Sequence, residues 1–197
     1  MPRPIQFDRN DVLNKALGLF WSDGYAASSI SRLLNVMNLN RGSLYSSFTD
    51  KRALFKESLE FYFKSTFLVL LKPNLIEIDD PAESIREFFY HALLHENPKV
   101  LSKGCFLFNT VSELSHTEPD LAKDANNYLS EIRMLFVRRL EEAKSMGLVK
   151  SIGNSEAQAN YLMGVLAGLR LQCKMGLGKE ELKKTIDRAL GSVFIAV

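Results

Sequence analysis

Leu39-Asn40-Arg41-Gly42-Ser43-Leu44-Tyr45-Ser46-Ser47-Phe48-Thr49-Asp50-Lys51-Arg52 is the stretch on which the reading of this chain turns. As a helix, it places Leu44 and Phe48 one turn apart, leaving Arg41, Ser43, Tyr45, Ser46 and Ser47 to project elsewhere. A core helix would carry more apolar bulk, and a merely solvated one more Glu, Lys and Ala. Hydroxyls both donate and accept, arginine can bond a guanine edge bidentately, and tyrosine can reach a phosphate or a thymine methyl. Such a surface suits the major groove of double-stranded DNA. The alternative is a solvated helix hairpin within an all-α domain.

Outward from this stretch the sequence reads as helices. Asp8 caps a first helix from about Arg9 to Ser22, with Val12, Leu13, Ala16, Leu17, Leu19 and Phe20 at helical period, and Asp23-Gly24 stops it. Ser28 or Ser29 caps a second helix to about Val36, Met37-Asn38-Leu39 turns the chain, and Asn40 caps a third through Phe48. These are helix-turn-helix dimensions, with Leu33, Leu34, Leu39, Leu44 and Phe48 as anchors to the first helix. Asp50 caps a fourth helix ended by Lys72-Pro73, and Lys51 with the amides of its first turn is placed for a backbone phosphate. Further helices are expected over residues 80–96, 104–114, 118–146, 155–176 and 180–194, the one at 155 opened by a capping box of Ser155 and Gln158. The expected architecture is all-α, about nine helices, with a DNA-reading domain at 1–52 and a larger domain at 53–197.

Composition narrows the class without naming it. The 197 residues are 46% hydrophobic and 24% charged, as in ordinary globular proteins. The net charge of +2 is unevenly spread: residues 1–52 hold seven Lys/Arg against four Asp, the remainder 18 basic against 19 acidic residues. The positive excess thus falls where an anionic partner is expected. Two distant cysteines, no signal core and no apolar run near membrane-spanning length lead us to expect a cytoplasmic protein without a membrane association. There is no nucleophile–base constellation, paired-carboxylate site or phosphate loop, so an enzyme is not expected. His91, His95 and His116 make no metal pattern, and no cofactor is expected.

Gly24-Tyr25, Ser28-Ser29-Ile30, Gly42-Ser43-Leu44-Tyr45, Phe48 and Lys51 with Leu54, after Ala16 and Phe20, resemble the N-terminal signature of the TetR family of bacterial transcription regulators. The resemblance covers about residues 9–56. It implies three DNA-binding helices, a larger ligand-binding core and a homodimer formed mainly by the last two helices. It carries DNA contacts onto Ser29, Ser31, Arg32, Asn40, Arg41, Ser43, Tyr45, Ser46, Ser47 and Lys51. Leu34 departs from the usual alanine and Asn38 from the usual turn glycine. The implied function is a repressor released from operator DNA by a small-molecule effector. A helical interaction module that had lost DNA binding would have lost the basic, hydroxyl-bearing third helix, which this sequence keeps.

The later residues are rich in aromatics, which could line an effector pocket or simply fill a core. Phe61, Phe106 and Phe108 are candidates for the former. The stretch Gly104-Cys105-Phe106-Leu107-Phe108 resembles the Gly-Cys helix start of a NemR-like, electrophile-sensing subgroup, and Leu171-Gln172-Cys173-Lys174 a lysine-bearing stretch there. By that resemblance Cys105 would be a redox sensor assisted by Lys174, since a nearby ammonium favours thiolate; the alternative is an inert cysteine. Tyr161, Val165, Leu166, Leu169, Ile186, Leu190 and Phe194 form an apolar face on the last two helices. It is expected to pair with a second copy, or else to complete the monomer core.

Overall fold

Capping side chains decide where most of the helices begin. The structure, a computed structural model, describes residues 7–150 and 153–195. Asp8 accepts from the Asn10 and Asp11 amides at the head of α1 (Arg9–Ala27). Ser29 accepts from the Arg32 amide to open α2 (Ile30–Met37), and Asn40 from the Ser43 amide to open α3 (Arg41–Phe48). Asp50 takes the Ala53 amide at 2.7 Å before α4 (Lys51–Thr66). Asp80 takes the Ala82 and Glu83 amides ahead of α5 (Pro81–Tyr90), with Pro81 in the first turn, where its missing N–H costs nothing. There follow α6 (Pro98–Leu101), α7 (Phe106–Leu114), α8 (Pro119–Ser145), α9 (Ser155–Lys174) and α10 (Lys179–Val193). The described residues are helical apart from loops and a single bridge pairing Val149 with Phe194.

The first helical run does stop at Gly24, whose φ of 83° is the left-handed value glycine supplies, and a short helical stretch resumes beyond it to Ala27. Three local expectations are corrected. The fourth helix is not ended by Pro73. A π-helical stretch, Phe67–Ile76, carries the chain through it. A proline ring collides with the carbonyl four residues back, and the wider π turn relieves that collision, while Asn74 Nδ2 donates to the Leu70 carbonyl at 2.8 Å. Asn97 caps the one-turn α6, which the sequence reading missed. Finally, Asn154 caps α9 through the Ala157 amide, displacing the expected Ser155 capping box by one residue. Asn38, at φ 55° and ψ 45°, does take the left-handed turn position expected of it.

Two compact units result: residues up to 65 with 109–126, and 66–108 with 127–197. In the first, Val12, Leu13, Ala16, Leu17 and Phe20 of α1, Leu33 and Met37 of α2, Leu44 and Phe48 of α3, and Leu54, Phe55 and Leu59 of α4 are buried. Phe20 meets Phe55 edge-on with ring centroids 4.8 Å apart, a favoured aromatic geometry. In the second, Phe88, Phe89 and Phe136 interlock, Phe88 edge-on to each of the others at 5.7 and 5.2 Å, so these rings fill a core.

Arg139 of α8 is a polar keystone of the second unit. It is buried and donates to Ser84 Oγ, to Glu142 and to the Ile78 and Asp79 carbonyls, tying down the loop that caps α5. Arg139→Ala should lower unfolding free energy by about 2 kcal/mol, since the buried Ser84 hydroxyl and part-buried carbonyls lose their donor at once. Urea melts check this; an unchanged midpoint would show that water replaces the guanidinium without penalty.

Candidate nucleic-acid interface

Leu44 and Phe48 are 0% and 1% exposed, which fixes the roll of α3. With that side turned inward, Arg41, Tyr45 and Ser46 are exposed, and Ser43 and Ser47 are half-buried along the flanks. Tyr45, at 45% exposure, is a large aromatic held out in solvent. On α2 Ser29, Ser31 and Arg32 are exposed, and Leu34 is half-buried, so its extra bulk reaches the surface.

Several of these side chains also serve the local fold. Asn40 caps α3 through the Ser43 amide at 2.8 Å, and Ser46 donates to the Ser43 carbonyl at 3.0 Å. Ser29 caps α2 and shares a 3.0 Å hydrogen bond with Ser31. Arg32 pairs with Asp23. Lys51 does not point freely into solvent: its ammonium lies 4.2 Å over the Tyr25 ring. Partial burial pulls its pKa down, with Glu113 and Glu118 pulling the other way, and burial first of all raises that of Tyr25. The first turn of α4 is not wholly open to a phosphate, because Asp50 already occupies the Ala53 amide.

The cations of this unit divide sharply. Arg9 pairs with Glu57 and lies 4.4 Å over the Phe48 ring, Lys15 pairs with Asp11, and Arg52 with Asp120 and Glu118. Lys56 pairs with Asp124. Among the described residues Arg41 alone of the basic residues between 9 and 56 is exposed with neither a carboxylate nor a ring engaging it. A guanidinium left uncommitted beside hydroxyls, on a helix whose roll is fixed, can bind an acceptor pair on a base edge.

The comparisons settle the family. The N-terminal model of the bacterial regulatory proteins of the tetR family matches residues 12–58, and the tetracyclin repressor-like C-terminal domain matches residues 81–189. The chain belongs to the TetR family. It is a helix-turn-helix transcription regulator, from a family that is not enzymatic. It is 26% identical over 189 residues to the HTH-type transcriptional repressor ComR of Escherichia coli (strain K12), covering 95% of this chain and 90% of that one. A CifR cysteine mutant, a TetR family regulator solved with 26bp double-strand operator DNA, is 26% identical with TM-score 0.85, over 96% of this chain and 99% of that one. Reduced E. coli NemR superposes with TM-score 0.82 over 96% and 99% of the two chains, but at 20% identity it shares the fold alone.

The residues expected to sense an effector differ in exposure. Cys105 is half-buried just before α7, Phe106 is buried, Phe108 and Phe61 are half-buried, and Lys174 is exposed at the last position of α9. In the second unit a polar hollow of about 440 Å³ is lined by Glu141, Lys144, Ser145, Asn154, Ser155 and Glu156, and another of about 320 Å³ includes Tyr161 and Ser192. Neither includes those residues. His91 and His95 are exposed and meet edge-on at 4.7 Å. Of the expected interface, Leu166, Leu169, Ile186, Leu190 and Phe194 are buried within the chain and have little surface left for a partner. Tyr161 is exposed and Val165 half-buried. No helix among the described residues is long and apolar enough to cross a membrane.

The two thiols should therefore differ. Burial pushes the Cys173 thiol up, and Arg170 pulls it partly back. N-ethylmaleimide at neutral pH should modify Cys105 well before Cys173, read by peptide mass spectrometry; equal rates would contradict the placement. With a folded pKa above 9.0, the Cys173 contribution to stability is intact at neutral pH and is lost as pH rises through that folded value.

Proposed function

We propose that this regulator is a cytoplasmic repressor that holds a near-palindromic duplex operator as a homodimer and releases it when a small molecule binds. In this reading residues 1–52 read DNA and residues 53–197 respond to the effector and pair with a second copy. The observation that carries it is Arg41: exposed at the first turn of α3 and engaged by neither a carboxylate nor a ring. Arg41 and Tyr45 read base edges, while Ser29, Ser31, Arg32, Asn40, Ser43, Ser46, Ser47 and Lys51 position the duplex. ComR, named as a repressor, supports the sign of regulation, and CifR on its operator supports the ligand.

Dimerisation rests on α9. Tyr161, Gly164, Val165, Gly168, Leu171 and Met175 recur at helical spacing along its outer side, and Leu171 and Met175 are 59% and 77% exposed. The glycines let a second helix approach closely, and the apolar side chains gain from leaving water. Leu171→Glu with Tyr161→Glu should give a folded monomer in sedimentation velocity, with helical circular dichroism retained. A dimer surviving both changes would remove α9 from the interface.

The switch has a second reading, in which Cys105 is an electrophile sensor and Lys174 its partner. It is favoured by the half-buried position of Cys105 against the buried Cys173. Treatment with a quinone should then release operator DNA from wild type but not from Cys105→Ser. Release from both would leave a reversible effector, with Phe61, Phe106 and Phe108 among its candidate contacts.

Base and phosphate contacts separate by mutation. Arg41→Ala should cost about 1–3 kcal/mol in operator affinity and relax preference at one base position. Lys51→Ala should weaken all duplexes alike and flatten the salt dependence by about one unit of slope. Gel-shift titrations against salt distinguish the two; unchanged affinity in both variants would contradict the assignment.

A further inference from the structure

One carboxylate far along the chain reaches the reading head. Glu113, near the end of α7, lies in the first unit. Its Oε2 accepts from the Tyr25 amide at 3.0 Å and its Oε1 from the Ala26 amide at 2.9 Å. The kink at Gly24 is what presents these donors. With φ 83° and ψ 172° there, the helical ladder of α1 is interrupted, and the next amides behave as the first amides of a new helix. Glu113 is thus an N-cap supplied from 88 residues away.

Gly24 leaves room for it. A Cβ at Gly24 would sit 2.7 Å from Glu113 Oε2 and 3.0 Å from its carboxyl carbon. The glycine therefore serves both the positive φ and the close approach of the carboxylate. The Gly24 carbonyl is taken in turn by Ser28 Oγ at 2.6 Å, and Ser28 is buried immediately before Ser29, the cap of α2. The same clasp reaches the other end of the hairpin. Tyr25, whose amide it holds, carries the Lys51 ammonium on its ring at the start of α4, and Glu113 acts electrostatically on that ammonium.

We infer that Glu113 is a positioning residue for DNA recognition: its carboxylate fixes the entry to α2 and, through Tyr25 and Lys51, the start of α4, and so holds α3 from both sides. This rests on the DNA-binding reading above. It goes beyond that reading by assigning a determinant of operator affinity to a residue outside the helix-turn-helix.

The decisive variant is Glu113→Gln, which keeps size and shape. An amide presents one acceptor oxygen, so one of the two backbone N–H groups would face an NH₂. The charge effect and the positioning effect have opposite signs. Removing a negative charge near the DNA-binding surface raises affinity for any duplex; losing the clasp lowers affinity for the operator specifically. The probes are a duplex selected by the wild-type protein from a random library and a scrambled duplex of equal length. Glu113→Gln should lose about 10-fold or more on the selected duplex, as expected when a charge-assisted hydrogen bond is lost, while holding or gaining on the scrambled one. Amide exchange at Tyr25 and Ala26 should accelerate. Equal losses on both duplexes would mark a merely structural role and overturn the inference, as would unchanged specificity. If wild type selects no sequence at all, the DNA-binding reading falls and this inference with it.

Discussion

The roll of α3 about its own axis is the constraint on which the reading surface depends. Leu44 and Phe48 are one turn apart and out of water, and moving either to the surface would forfeit roughly 1.5–3 kcal/mol of apolar burial. Phe48 is held further by the Arg9 guanidinium 4.4 Å over its ring, and Arg9 is itself anchored on Glu57. With the roll fixed, Tyr45 and Ser46 are left exposed, and Arg41 is exposed at the first turn of the helix. The short α2 and the left-handed Asn38 then set the angle at which α3 is offered.

Electrostatics sorts the remaining cations. A surface with all its basic residues free would bind any duplex through its phosphates and discriminate poorly. Here Arg9, Lys15, Arg32, Arg52 and Lys56 are held by carboxylates, and Lys51 lies on a tyrosine ring. These exposed pairs add little stability, but they reduce the charge available for indiscriminate attraction. Arg41 remains uncommitted at the exposed first turn of α3. In the proposed reading this arrangement leaves base contacts to carry the selectivity, in keeping with a chain whose net charge is only +2.

Much of this was legible in the sequence because it is local. Caps at Asp8, Ser29, Asn40, Asp50 and Asp80 act within three residues, and the turn conformation of Asn38 follows from its own side chain. What escaped the sequence depends on residues far apart or on a balance of local terms. Pro73 ordinarily ends an α-helix, yet a π turn accommodates it, and nothing in the pattern around it announced that. Asn154 and Ser155 are adjacent cap formers, and only the register of the helix chose between them. The apolar residues of the last two helices carried no label distinguishing core from surface; Leu166 and Leu190 are buried, and Leu171 is exposed. The carboxylate of Glu113 looked like one more acid on a helix until its 88-residue reach to Tyr25 was visible.

The central claim is that Arg41 reads a guanine through its major-groove edge. Methylation of guanine N7 blocks one of the two acceptors that such a contact uses. Methylation interference on the selected duplex, run with wild type and Arg41→Ala, tests the claim most directly. The account predicts one guanine in each half-site whose methylation impairs wild-type binding and is without effect on the variant. An identical interference pattern for both proteins would contradict it.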